Sequence, residues 1–284
     1  MKPPAFDYTR ASSIEDALAA LAGADAKIIA GGQSLVPMMN FRLVQPERLV
    51  DINFIPGLGE IEESDDALTF GALVRHVQAQ NDQRPARFLP IIGEAMHHVA
   101  HQAIRNRGTI GGSLAHADPS GEWPLLVTLL DGEIVLRGPD GERRVGADTF
   151  FIAPLVTAIE DGELLVCVRF SKPAPGTGMA FDEVAQRAGD FAIVSAGAVL
   201  RLEDGAIAEA RLALGGVGDR PVRAGAAEEF LLGKAPTQAA FAEAGALAVQ
   251  GLEPNSDPHA SAQYRLHLVP VLARRMLAKA ASRA

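Results

Sequence analysis

One cysteine, one tryptophan and two tyrosines in 284 residues leave little material for several kinds of chemistry. A lone thiol, Cys167, can form no intrachain disulfide and no zinc or iron–sulfur ligand set, so any metal centre the protein works with must come from elsewhere. Basic residues are outnumbered, 26 Lys and Arg against 35 Asp and Glu for a net charge of −9, and the acidic residues are spread along the chain. That balance argues against nucleic acid or an anionic membrane surface as a partner. No apolar run approaches the roughly 20 residues of a membrane span, and the first eight residues, Met1 to Tyr8, hold no apolar signal core. A soluble, cytoplasmic protein is expected. Also missing are the H-E-x-x-H zinc motif, the G-x-S-x-G nucleophile elbow and the G-x-G-x-x-G dinucleotide loop.

The length suits two or three lobes sharing cores, and is enough to bury a large cofactor. Ser12 and Glu15 form a capping-box pattern before Ile14, Ala17, Leu18 and Leu21, predicting a helix that Gly23 ends. A buried strand follows at 27–30, a turn at Gly31-Gly32, a short helical or looped piece at 35–40, and strands at 48–52 and 67–70. Helices are expected at 73–80 and 90–101, then an irregular polar segment at 102–122 of the length usually kept for function, then a helix at 123–130. The texture turns to strands at 133–137, 143–145 and 163–170. After a Pro/Gly-rich linker at 171–178 come strands at 181–184, 192–202 and 206–215, with a hairpin turn at Asp204-Gly205. Helices at 224–231, 237–249 and 260–281 close the chain, the last bent at Pro270.

Two glycine segments stand out. Gly31-Gly32-Gln33-Ser34 follows a strand, and its glycines let backbone N–H groups converge on an anion without Cβ interference. By spacing alone, a plain structural turn is the commoner reading. Thr109-Ile110-Gly111-Gly112-Ser113, preceded by Arg105-Asn106-Arg107-Gly108, also resembles an anion cradle, with a glycine-rich surface loop as the alternative. Asp118 and Glu122 could accept hydrogen bonds from sugar hydroxyls, or serve as a turn former and a helix N-terminal charge. His98 and His101, three apart on the expected helix beside His97, lack a partnering carboxylate and are a poor metal set. Cys167 sits mid-strand, where a buried, inert thiol is expected.

The two segments in this order, with Arg105-Asn106 before the second and Ala115-His116-Ala117-Asp118-Pro119 after it, resemble the FAD-binding medium subunit of the molybdenum hydroxylases, a family that includes aerobic carbon monoxide dehydrogenase and the xanthine dehydrogenases. The likeness runs over 4–170 and, through Gly189-Asp190-Phe191-Ala192 and Tyr264-Arg265 to Arg274-Arg275, over about 181–277. It implies an α+β fold: a two-lobed FAD-binding domain of the PCMH/CO dehydrogenase flavoprotein type, its lobes at 1–56 and 57–175, then a C-terminal α+β domain at 176–284 with an antiparallel sheet and helices. It implies FAD between the two lobes, contacted by Ala30, Gly31, Gly32, Gln33, Ser34 and Leu35, by Thr109, Ile110, Gly111, Gly112 and Ser113, and by Ala117, Asp118 and Glu122, with Leu165 near the flavin ring. Where some members carry a lysine by the ring, this chain has Asp182-Glu183.

The resemblance further implies division of labour. A molybdopterin large subunit oxidises substrate, a small subunit relays electrons through two [2Fe-2S] clusters, and this oxidoreductase subunit passes them from FAD to a small-molecule or carrier acceptor, in a dimer of heterotrimers. Rival readings are a self-contained flavoenzyme of related fold and a cofactor-free scaffold. A bulky residue in place of Gly32 or Gly111 is expected to expel FAD and leave the fold largely intact.

Overall fold

The computed structural model describes residues 1–23 and 25–284. The chain opens with β1 (Asp7–Arg10), α1 (Ile14–Leu21), β2 (Ala26–Ile29), α2 (Leu35–Asn40) and β3 (Arg48–Asp51), and the three strands form a parallel sheet with β3 in the middle. Strand β1 escaped the sequence reading because Asp7-Tyr8-Thr9-Arg10 lacks apolar alternation and stays largely exposed. The cap of α1 is Ser13, not Ser12: Ser13 Oγ accepts from the Asp16 amide, while Ser12 bonds the Asp16 carboxylate. The capping pattern is thus shifted by one residue.

A five-stranded antiparallel sheet follows. In chain order its members and their neighbours are β4 (Ile61–Glu63), β5 (Ala67–Gly71), α3 (His76–Asn81), α4 (Gln83–Phe88), α5 (Pro90–His98), α6 (Gln102–Arg105), α7 (Ile110–His116), α8 (Glu122–Leu129), β6 (Glu133–Gly138), β7 (Gly141–Gly146), α9 (Ala147–Phe150), a small hairpin of β8 (Phe151–Ala153) and β9 (Val156–Thr157), and β10 (Leu164–Ser171). The sheet order is β4-β5-β10-β6-β7.

Three expectations change here. The helix expected at 73–80 starts only at His76, because Leu73 and Val74 give their amides to the Leu58 and Gly71 carbonyls. The helix expected at 90–101 stops at His98; Ala100 takes a left-handed φ of 41° and His101 caps α6, so His98 and His101 share no helix face. The segment 102–122 is not irregular. It holds α6 and α7, too short and too rich in glycine to show a helical apolar stripe, and α7 is anchored by tertiary bonds from the Ile110 and Gly111 amides to the Val74 and Ala72 carbonyls.

The rest of the chain forms β11 (Thr177–Ala185), β12 (Ala192–Glu203), β13 (Ala206–Gly215) and β14 (Val222–Arg223), an antiparallel sheet in sequence order, and α10 (Gly225–Leu231), α11 (Gln238–Leu247) and α12 (Ala262–Ala281). Helix α12 runs through Pro270, with Gly245 of α11 tight against the Pro270 backbone. Strand β12 is buried on both faces for most of its length. Val194, Ala196, Ala198 and Leu200 join the core under the C-terminal helices, while Val199 joins Met179 and Phe181 in the core built around α5 and α8.

Every residue of α8 is buried. Leu125 sits where a Cβ added at Gly197 or Gly215 would come within 3.1 and 3.2 Å of it, so the two strand glycines make room for this helix. Leu125→Ala is expected to destabilise the protein by about 2–5 kcal/mol, read from the denaturant midpoint; a loss well under 1 kcal/mol would show that α8 is not the wedge between these sheets.

Candidate cofactor-binding site

Between the parallel sheet and the five-stranded sheet lies a cleft of about 640 Å³, within the roughly 300–1,000 Å³ range of cofactor and ligand sites. Ala30, Gly31, Gly32, Gln33, Ser34 and Leu35 line it, as do Thr109, Gly111, Gly112, Ser113, Asp118, Glu122 and Leu165. Two expected residues do not. Ile110 is fully buried in the core, and Ala117 ends α7 with a left-handed φ of 52°, its carbonyl accepting from the Leu155 amide. The sequence reading missed His76 and Gly108, which also line the cleft, and the β11–β12 loop, which brings in Gly189, Asp190 and Phe191. Gly189 gets there by taking φ +86° against the Ala100 backbone, a long-range contact with no local signal.

The first glycine segment is a true turn. A Cβ at Gly31 would run into the Arg107 carbonyl oxygen and lie 3.0 Å from Gly108 Cα, and Gly32 has φ +69°. Gly31 therefore leaves no room for a side chain, and the left-handed φ of Gly32 favours glycine. Among the described residues, the amides of Gly31, Gly32, Gln33 and Ser34 donate to no protein acceptor. Four consecutive free N–H groups on a cleft wall form an anion nest. The turn is braced from behind: Asn53 donates to the Ala30 carbonyl at 2.8 Å, Arg75 donates to Asn53 Oδ1 at 2.6 Å, and Arg75 also holds the Arg107 carbonyl.

The second segment is built differently. It is the start of α7, not a turn, and its amides are committed: Ile110 to Val74, Gly111 to Ala72, Gly112 to the Thr109 hydroxyl at 3.1 Å and Ser113 to the Thr109 carbonyl. Its glycines serve close approach. A Cβ at Gly111 would fall 2.6 Å from Ala72 Cβ, so a bulky side chain there would push α7 off β5, and the expectation of an intact fold does not hold for Gly111.

Two carboxyls beside the cleft are close to neutral. Burial and the Asp118 charge push Glu122 up to about 7. Glu183 on β11 is pushed up to about 8 by burial and by the charges of Glu122 and Asp182. Its Oε2 is buried without a hydrogen-bond partner, and its Oε1 lies 3.6 Å from His98 Nδ1. Burial raises Cys167 to about 11, leaving it a thiol without nucleophilic character. Among the described residues no three His, Cys, Asp or Glu side chains converge on a metal position, and no helix is long and apolar enough to cross a membrane.

The cleft between two sheet-bearing lobes, reached by the β11–β12 loop of the third, has the size and the free amide donors of a site for an anionic cofactor, without the G-x-G-x-x-G phosphate loop. Residues 4–173 match the family described as FAD binding domain in molybdopterin dehydrogenase, and residues 179–280 match the CO dehydrogenase flavoprotein C-terminal domain. The chain belongs to this family of FAD-binding flavoproteins. It is 45% identical over 287 residues to the 6-hydroxypseudooxynicotine dehydrogenase complex subunit alpha of Paenarthrobacter nicotinovorans, covering 100% of this chain and 97% of the relative. The carbon monoxide dehydrogenase medium chain of Hydrogenophaga pseudoflava is 36% identical, covering 98% and 97%. The crystal structure of quinoline 2-oxidoreductase from Pseudomonas putida 86 superposes with a TM-score of 0.96 at 43% identity, covering 99% of each chain.

The raised Glu183 carboxyl has a measurable consequence. The folded protein keeps its proton up to about pH 8, whereas an ordinary glutamate releases it near 4.5. Its contribution to stability is therefore complete below the lower value and lost as the pH climbs to the upper one. Glu183→Gln, neutral throughout, should show a flatter fall of Tm across that window than wild type; equal slopes would mean that Glu183 is solvated and charged in the fold.

Proposed function

We propose that the cleft holds FAD with its diphosphate on the free amides of the Gly31–Ser34 turn, and that the chain is the electron-transfer subunit of a heteromeric molybdenum hydroxylase. The observation that carries the reading is the row of four N–H groups without a protein acceptor, at a turn where Gly31 leaves no room for a side chain. Thr109, Ser113, Asp118 and Glu122 offer hydroxyls and carboxyls for the sugar and ribityl hydroxyls. Leu35 and Leu165 supply apolar surface, Leu165 toward the flavin ring. Ile110 and Ala117 act from behind, holding α7 in place. Where some relatives carry a lysine by the ring, this chain has Asp182-Glu183, and burial holds the Glu183 carboxyl far above the usual carboxylate range.

FAD supplies reversible two-electron chemistry with one-electron steps, and the protein contributes position, shielding and electrostatics. Electrons come from two [2Fe-2S] clusters on a small partner subunit, substrate is oxidised on a molybdopterin large subunit, and a small-molecule or carrier acceptor takes the electrons away. A dimer of heterotrimers in the cytoplasm is the assembly proposed. A chain with one cysteine cannot hold the clusters itself. The division into lobes at 1–56 and 57–175 and a domain at 176–284 is supported by each span having its own principal sheet.

Purification of the native complex tests the reading: this chain is expected to carry flavin absorbance and to elute with an iron–sulfur polypeptide and a larger molybdenum polypeptide. A monomer oxidising an organic substrate unaided would point to the self-contained flavoenzyme, and a chain that refuses added FAD to the scaffold. Gly32→Val, strained at φ +69° and set only against the Val36 and Ile29 side chains, should empty the site of FAD while circular dichroism stays close to wild type; full flavin occupancy in that variant would refute the nest.

A further inference from the structure

His76 lines the cleft, yet the reading above gives it no task. It is only 5% exposed, and the buried Trp123 donates its indole N–H to His76 Nδ1 at 2.8 Å. An indole nitrogen can only donate, so Nδ1 is the unprotonated acceptor and the neutral ring carries its proton on Nε2. Charging the ring would set an Nδ1–H against the indole N–H. Burial and the nearby Arg75 and Arg105 charges already push His76 down to about 4. Trp123 thus makes the imidazole a neutral donor of fixed tautomer.

That donor faces the glycine wall. A Cβ at Gly108 would lie 2.5 Å from His76 Cδ2 and 2.7 Å from Nε2, while Gly108 Cα on its other side lies 3.0 Å from where a Gly31 Cβ would be. His76, Gly108 and Gly31 therefore stand in a row along one wall of the cleft. Among the described residues Nε2 has no acceptor. Nε2 is not among the side-chain atoms sealed from solvent without a partner, so its N–H opens on the cleft, where a ligand can supply the acceptor, and the nest on the same cleft selects an anionic one. The His76 amide, bonded to the Gly108 carbonyl at 3.1 Å, ties the ring's backbone to the same wall.

We infer that His76 is a cofactor-binding residue whose Nε2–H donates to an anionic oxygen of the FAD diphosphate, and that Trp123 is the positioning residue that holds the ring in the donating tautomer. The inference rests on the FAD reading and adds to it a donor that stays neutral down to about pH 4. Gly108 has its reason here too, since any side chain would displace the imidazole.

The test uses the full chain stripped of flavin and titrated with FAD. His76→Met should bind FAD roughly ten- to hundred-fold more weakly, the range for losing one hydrogen bond to a charged group, and should shift the ³¹P resonances of bound FAD. His76→Gln, whose amide N–H reaches to the same place, should recover part of both. The ¹⁵N spectrum of wild type should show one neutral Nε2–H tautomer, and Trp123→Phe a mixture. A proton on Nδ1, or a folded His76→Met variant with wild-type affinity and ³¹P shifts, would overturn the assignment of His76 alone. Wild-type protein that takes up no FAD would instead bring down the reading beneath it.

Discussion

The close approach of Gly31 to the Arg107–Gly108 backbone is the contact on which the site depends. It is where the parallel N-terminal sheet meets the segment leading into α7, and it leaves no room for a side chain on Gly31. The Arg107 carbonyl accepts from Arg75 and from none of the turn amides. The turn amides are left facing the cleft, and the Asn53–Arg75 brace keeps them there. Anion binding is thus a by-product of how the lobes are joined, bought by excluding every residue but glycine at one position.

Around this contact the two glycine segments, alike in the sequence, divide the work. The first keeps its donors free. The second spends its donors on Ala72, Val74 and Thr109, and its glycines allow helix and strand to touch. Both are needed, since Gly31 packs on the backbone that leads into α7, and α7 keeps its place only if it stays tight on β5. The buried groups nearby follow one electrostatic pattern: His76 is kept uncharged by burial and two arginines, and Glu122 and Glu183 by burial and neighbouring carboxyls. Burial disfavours isolated charge of either sign, and the backbone amides and the neutral imidazole would meet the charges of a dinucleotide as dipoles.

Much of the architecture was legible in the chain. The hairpin at Asp204-Gly205 and the long strands on either side follow from local turn chemistry and β-branched or small apolar residues, and both appear as expected. Helices α10, α11 and α12 needed only their apolar spacing. What was not legible had tertiary causes. Strand β1 is fixed by its partner β3, not by its own residues. Helices α6 and α7 are too short to announce themselves. His76 stood in what looked like the middle of an amphipathic helix, and nothing in its neighbours shows that Trp123, 47 positions on, would set its tautomer.

By itself, then, the sequence determined what the chain cannot do and which cofactor class it suits: one cysteine rules out a metal cluster of its own, and two glycine segments in the family's order mark the walls of a flavin site. Hydrophobic spacing and turn residues are local properties, so they survive in one dimension. The tertiary structure alone decided which glycine amides are free, which carboxyls hold their protons, and which face of a histidine meets the ligand. Those properties depend on burial and on hydrogen-bond partners far away in the chain, and neither exists until the lobes close on each other.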